Sequence, residues 1–475
     1  MNLLLLNNKL FRINILFIIS LTCFITFLNS NFSLDDALIY QRYLKNFLDG
    51  NGLVYNIGEK FNGLTSPLYI YVCMLTSFIV RDVVINQLII NCFLLISAGV
   101  VLAIIFYSIG QPVIGFISSI VLVTSKYFYM VFGMESNLFI LMSLCCIYFY
   151  FKNRFTLLSI FSAGIIMTRG EGIFLLLILF FLIIKKNKES LKLQYFAIFI
   201  LILSVNYIFF FYYYGHLFPQ TLSAKIAQGS SGLWGRFSFL TGASFLIGNA
   251  FNNQAFYILI VLIFSLIGLC KHYKEKFLQI LFIYVILITI FYLSFNIPNY
   301  HWYYSIHMLT FFILVSYGAY DIYIYISKNI RSSVAKYFLL AVIFIYPIGT
   351  QIQMFILLQK EAPHKEYMMI GQWIKKNTSP DSKIAAVEIG HLGWYSERYI
   401  IDVLGLVNPM NADFIGQRQY SKWFDYYKPD YLVVHDPYWP HEQGIPELVD
   451  KGYFYEDKNF SMKGYKLLKL KKSDF

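Results

Sequence analysis

Two adjacent acids, Asp35 and Asp36, stand just after the first long apolar run, at the N-terminal turn of a short helix-patterned segment. Carboxylates can accept a proton or a hard cation, while Arg and Lys can hold an anion. Further along, Glu59, Glu135, Arg169, Glu171, Lys225 and His301 each fall at the edge of an apolar run or in the loop beside one. Ionisable groups at a membrane edge are costly unless paired or functional. Each has an ordinary reading as well. The Asp pair could cap its helix, Glu135 could end one, and Arg169 and Glu171 could form a local ion pair. Lys225 could be a solvated lysine, and Asn299 to Tyr304 an interfacial aromatic belt.

The elements that must position these residues are membrane helices. The chain has 475 residues, of which 58% are hydrophobic and only 13% charged, against roughly 25% in soluble chains. Apolar runs of spanning length recur at about 11–30, 85–107, 113–131, 137–151, 155–169, 171–185, 194–213, 254–270, 277–295, 302–326 and 335–358. These predict about 11 transmembrane helices. Residues 67–80 are too short to span and begin at Pro67, which predicts an interfacial or re-entrant segment. The first run lacks a small-residue cleavage site and reads as an uncleaved first helix. The six cysteines lie in apolar segments without metal spacing and read as small core hydrophobes.

The net charge of +12 is distributed as topology signal, which argues against nucleic acid. With the N-terminus inside, the inner segments carry Lys9/Arg12, Lys152/Arg154, Lys185/Lys186/Lys188/Lys192, Lys271/Lys274/Lys276 and Lys328/Arg331/Lys336, with a bare turn at 108–112. The candidate chemical residues and the 214–253 loop then collect on the other face, as does the polar tail. The expected division is a membrane domain at 1–359 and an extracytoplasmic domain at 360–475. In the tail, a helix near 365–377 and strands at 383–388, 399–403, 431–434 and 465–470 predict a small α/β domain. His391, His435 and His441 lack ligand spacing and read as ordinary histidines. The Phe209–Tyr214 tract reads as lipid-facing.

The first outer loop carries Asp35-Asp36-Ala37, Arg42-Tyr43, Asn51-Gly52-Leu53-Val54, Asn56, Gly58-Glu59 and Gly63-Leu64-Thr65-Ser66-Pro67-Leu68. This pattern resembles the first extracytoplasmic loop of GT-C-fold glycosyltransferases that use polyprenyl-phosphate sugars. It is most similar to the branch containing the terminal arabinofuranosyltransferases of mycobacteria and their Gram-negative relatives. Gly133-Met134-Glu135-Ser136, Thr168-Arg169-Gly170-Glu171-Gly172 and Phe218-Pro219-Gln220-Thr221 with Lys225 follow in family order, as do Glu388-Ile389-Gly390 and Ile401-Asp402 in the tail. Two departures stand out. Gly170 replaces a Pro, and Phe61-Asn62 replaces a Val-Glu, which removes an acid that could touch a metal.

The resemblance implies a bacterial inner-membrane glycosyltransferase with its site on the periplasmic, extracytoplasmic face. It would move a sugar from a polyprenyl-phosphate donor to a glycan or glycolipid acceptor, with inversion, in cell-envelope glycan biosynthesis. Such a donor already has a good leaving group, so the requirement is a base for the acceptor hydroxyl. Asp36 or Asp35 fills that role. Arg169 and Lys225, then His301, are the candidates for the donor phosphate. Glu59, Thr65, Glu135, Glu171, Tyr303 and Asp402 would support the site or touch the acceptor, with Trp394 and Tyr395 as further tail contacts. No cofactor is firmly implied. A divalent cation (Mg, Mn or Ca) held by Asp35 and Glu135 is the candidate. Rival readings are a transporter or flippase of lipid-linked glycans and an inactive glycan-binding scaffold. The first should show internal repeats or mid-membrane charges; the second should lack the acid and base set.

Overall fold

The computed structural model describes residues 8–187, 192–330, 333–360 and 365–471. Of the basic residues used above for topology, Lys188 and Arg331 lie outside them, and so do residues 361–364 beside the expected boundary at 360. Seven helical stretches among the described residues are long and apolar enough to cross a bilayer, among them Lys9–Leu28, Val83–Ser108, Leu193–Tyr214, Ala255–His272 and Lys276–Ser294. Shorter apolar helices, Pro67–Ser77, Pro112–Thr124, Ser136–Phe151 and Phe155–Thr168, pack among them. The chain is an integral α-helical membrane protein.

Close helix crossings use glycine, as expected where no hydrophobic effect drives association within lipid. Gly268 and Gly318 face each other where Ala255–His272 crosses Ser305–Tyr325. A Cβ on Gly318 would run into the carbonyl of Phe264, and one on Gly268 into that of Leu314. The apolar run at 113–131 is broken at Ser125 into Pro112–Thr124 and Lys126–Met130. Just past the break, Lys126 Nζ reaches the carbonyl of Asn249 at 3.0 Å and Asn252 Oδ1 at 2.5 Å.

Residues 67–80 form the eleven-residue helix Pro67–Ser77, capped by Ser66, whose Oγ accepts from the Tyr69 N–H at 3.2 Å. The 214–253 loop is not irregular: it holds the helices Thr221–Ser231 and Ser238–Ala250. Small residues hide the first from an apolar-run reading. It buries Ala224, Lys225, Gln228, Gly229 and Ser231 on one side.

The tail folds as a five-stranded mixed sheet with short helices. The strands are β1 (Lys383–Ala386), β2 (Tyr399–Asp402), β3 (Tyr431–His435), β4 (Phe454–Glu456) and β5 (Tyr465–Leu470). Their order is β2-β1-β3-β5-β4. The β2-β1-β3 part is parallel, and β3-β5-β4 is antiparallel. The fully buried runs in β1 and β2 fit a sheet covered on both faces. The tail packs directly on the Asp35–Leu48 helix. Arg42 donates to the carbonyls of Tyr55 (2.8 Å), Gly393 (2.7 Å) and Arg398 (2.6 Å), with its guanidinium 4.3 Å over the Tyr55 ring.

Candidate active site

The Asp35–Leu48 helix starts the site, but neither acid caps it in the expected way. Leu34 is the N-cap residue and offers no side chain. Asp35 instead reaches across to the tail. Its Oδ2 accepts from the Gly390 N–H at 2.8 Å, and its Oδ1 from the His391 N–H at 2.7 Å, with His391 Nδ1 at 2.8 Å from the same oxygen. Burial opposes the charge. The hydrogen bond and charge of His391 and the two backbone N–H groups outweigh it, so Asp35 is held below its ordinary value. A side chain at position 390 would collide with the Asp35 carbonyl, so the clasp requires glycine there. His391 is therefore no ordinary tail histidine; it is buried in the seam between the tail and the membrane helices.

Asp36 differs in every respect. It is partly buried, and among the described residues its carboxylate accepts no hydrogen bond and makes no ion pair. Burial pushes its pKa up to about 7, against the pull of Lys225 and with the push of Asp35, Asp402 and Glu135. Lys225 is its counterpart. It is only 6% exposed, yet its Nζ has no hydrogen-bond partner among the described residues. The ammonium sits 3.6 Å from the centre of the Tyr300 ring. Burial pushes its pKa down to about 8, while Asp36, Asp402 and Glu388 hold it up.

The second cation is built differently. Arg169 is buried between Glu135 (3.0 Å) and Glu171 (2.9 Å), donates to Tyr292 Oη at 3.1 Å and lies 4.5 Å over the Tyr303 ring. Tyr40 Oη donates to Glu135 at 3.1 Å, and Tyr292 donates a very short bond to Glu171. Every charge in this cluster is answered within the protein. Arg169 and Lys225 both line one cavity of about 350 Å³, with Thr65, Glu171 and Tyr303, and with Ile166, Phe174, Phe218 and Phe291 as apolar wall. The cavity thus combines charged and apolar lining.

Other expected residues lie elsewhere. His301 is not in the cavity wall; its ring lies beside Phe245 and its carbonyl accepts from Tyr127. The neighbouring Tyr300 occupies the place next to Lys225. Glu59 works at the seam, accepting from Tyr399 Oη at 2.7 Å and Asn408 Nδ2 at 3.3 Å. Asp402 is fully buried and accepts from the N–H groups of Leu404 (2.8 Å) and Leu406, so it shapes its own turn. Burial still raises its pKa to about 6.

The residues present do not fit the divalent cation. Asp35 is committed to Gly390 and His391, and Glu135 to Arg169 and Tyr40, so the two are not free as ligands. No group of three or more His, Cys, Asp or Glu among the described residues could hold a metal ion.

Sequence reasoning missed Tyr300, His391, Arg42 and Glu388. Glu388 lies beside Asp35, and burial together with the charges of Asp35, Asp36 and Asp402 raises its pKa well above normal. The Phe209–Tyr214 tract is also not wholly lipid-facing. Tyr213 Oη accepts from the Leu53 N–H, and Tyr214 Oη donates to the Leu53 carbonyl, both at 2.8 Å.

Known structures share this arrangement of helices and tail. The fold is GT-C-like. The chain superposes on ArnT from Cupriavidus metallidurans in the apo state with a TM-score of 0.59 at 12% identity, covering 95% of this chain and 96% of that one. ArnT bound to undecaprenyl phosphate gives 0.59 at 11% identity, covering 96% and 98%. An oligosaccharyltransferase from Archaeoglobus fulgidus, in complex with Zn and sulfate, gives 0.58 at 12% identity, covering 96% and 73%. At these identities the likeness is one of fold. Residues 353–471 match a family described as a domain of unknown function (DUF8728). No curated protein sequence matches the chain.

Proposed function

We propose that this GT-C-like protein is an inverting glycosyltransferase. It moves one sugar from a polyprenyl-phosphate donor to a glycan or glycolipid acceptor on the extracytoplasmic face of the bacterial inner membrane, where the domain formed by residues 360–475 also lies. The observation that carries this reading is Lys225: a buried ammonium without a hydrogen-bond partner among the described residues, in the lining of a cavity with charged and apolar walls, and held charged by Asp36. A buried unpaired charge is expensive, and an anionic ligand would offset that cost.

In the proposed reaction the acceptor oxygen attacks the anomeric carbon. The bond from that carbon to the phosphate oxygen breaks, and its electron pair leaves with the polyprenyl phosphate. Asp36 takes the acceptor proton. Asp35 is bound to the tail by three hydrogen bonds, which favours Asp36 as the base. Lys225 holds the departing phosphate and Arg169 adds field from the other wall. The apolar wall receives the start of the prenyl chain. One fold relative is bound to undecaprenyl phosphate, which supports a lipid phosphate as ligand of this architecture.

The test is analysis of lipid-linked sugars and glycans in cells making Asp36→Asn protein, beside a deletion strain. The expected result is accumulation of the donor and a glycan lacking the sugar. Full restoration of the glycan by a normally inserted variant overturns the reading. The proposed orientation predicts that protease added outside cleaves the tail, and a protected tail refutes it.

A further inference from the structure

A second cavity, of about 250 Å³, lies where the end of the first helix, the Asp35–Leu48 helix and the tail meet. It shares no lining residue with the Lys225 cavity. Its wall includes Ser33, Gln41, Gln87, Trp394 and Tyr395, and holds no Asp, Glu, Lys, Arg or His. We propose that this cavity is a binding subsite for one uncharged sugar unit of the acceptor, separate from the reacting centre. The inference rests on the glycosyltransferase reading for the identity of its ligand, not for its existence.

Three observations carry it. Gln41 is 5% exposed and its amide nitrogen donates a very short bond to Gln87, which leaves its Oε1 buried without any partner. Gln87 spends its own amide nitrogen on the carbonyls of Ala37 (3.3 Å) and Gly133 (2.9 Å), so it cannot satisfy that oxygen. An orphaned buried acceptor is costly, and a hydroxyl donor reached by a small turn of the Gln41 amide removes that cost. The second observation is the pair of partly buried aromatic side chains in the lining, Trp394 and Tyr395, which offer a sugar ring an aromatic surface. The third is the charge-free wall itself, which offers a phosphate nothing to pair with. The volume is below the roughly 300–1,000 Å³ of drug-sized pockets, so it suits one sugar.

Helix geometry places this subsite away from the chemistry. Leu34, Ala37, Leu38 and Gln41 line it at i, i+3, i+4 and i+7, which is one helix face. Asp36 points from the other side. The unit bound here is therefore a neighbour of the reacting sugar in the acceptor. Ser30 to Leu34 follow directly on the first helix, so the cavity lies beside the end of a membrane-spanning segment, where the sugar of a membrane-held acceptor would sit.

Saturation-transfer NMR on the detergent-solubilised full chain tests this, with methyl glucoside, methyl galactoside and methyl mannoside against glucose 6-phosphate. At least one neutral glycoside should give a signal, weakened by about tenfold in Trp394→Ala, the scale expected of a main contact residue. Ser33→Trp, which fills the cavity without touching the core, should remove it as well, and so guards against misfolding of the first variant. The signal should persist in Asp36→Asn and Lys225→Met. Those variants separate this inference from the catalytic reading: loss of transfer with retained binding keeps both, and retained transfer with retained binding sinks only the latter. No signal from any neutral glycoside, a signal from the phosphate ester alone, or one indifferent to Ser33→Trp overturns the subsite.

Discussion

Arg169 and Lys225 line the same cavity, yet they live in opposite electrostatic circumstances. Arg169 has two carboxylates within 3.0 Å and a tyrosine besides. Lys225 has the face of an aromatic ring and, among the described residues, no hydrogen bond or salt bridge, only the more distant pull of Asp36, Asp402 and Glu388. A fully answered charge is architecture: its removal leaves its partners stranded. An unanswered buried charge is a cost carried by the fold, and its removal should relieve the protein while harming whatever ligand it awaits. The contrast separates a residue that builds the cavity from one that serves it.

The sharpest way to break the contrast is Arg169→Ala. It leaves Glu135 and Glu171 buried without a counter-charge, and loss of one partner of a buried pair costs about 3–5 kcal/mol. Thermal unfolding in detergent should show a large drop in Tm and poor yield. If the variant is as stable as the parent, the cluster is not structural. Lys225→Met comes next, with the reverse signature. Tm should hold or rise, while sugar transfer falls by about 10²–10³, the scale for losing one donor to a developing anion. Equal losses of stability in the two variants would erase the distinction.

The pH profile sharpens it further. Asp36 must be ionised to take a proton, so kcat/KM should climb as pH rises toward about 7 and then level. Lys225 must be protonated to hold phosphate, so the rate should fall above about 8. The result is a narrow bell, and Lys225→Arg should flatten its alkaline side, since a guanidinium stays charged. An alkaline limb unchanged in that variant would assign it to another group. The smallest expected effect is Gly390→Ala, which forces the clasp on Asp35 open without touching either cation. Transfer should drop by no more than about 10²-fold, the scale of a small misplacement near the reacting groups, with insertion unchanged.

Much of this was legible in the chain. Apolar runs marked the helices because lipid demands them, and the buried strands at 383–386 and 399–402 stood out by composition. Asp36, Lys225 and Arg169 stood out because charges at membrane edges are rare, and the fold brings the two cations to one cavity. What escaped were residues whose role depends on a partner far along the chain. His391 meets Asp35 across 356 positions, and no local pattern announces that. Tyr300 sat unnoticed in a belt of similar rings, where His301 drew attention by its chemistry but faces elsewhere. The helix bearing Lys225 was hidden because Ala, Ser and Gly give it no apolar run.

The Asp35 clasp also fixes an order of events. The first loop is synthesised early, but the N–H groups that answer Asp35, and the carbonyls of Gly393 and Arg398 that answer Arg42, come some 350 residues later. Until the ribosome has passed that point, the buried acid lacks its hydrogen bonds from Gly390 and His391, and the buried guanidinium lacks two of the three carbonyls it donates to. The chain therefore carries its own completion check. A product truncated before residue 390 can insert its helices and still hold a reacting centre that is not yet set.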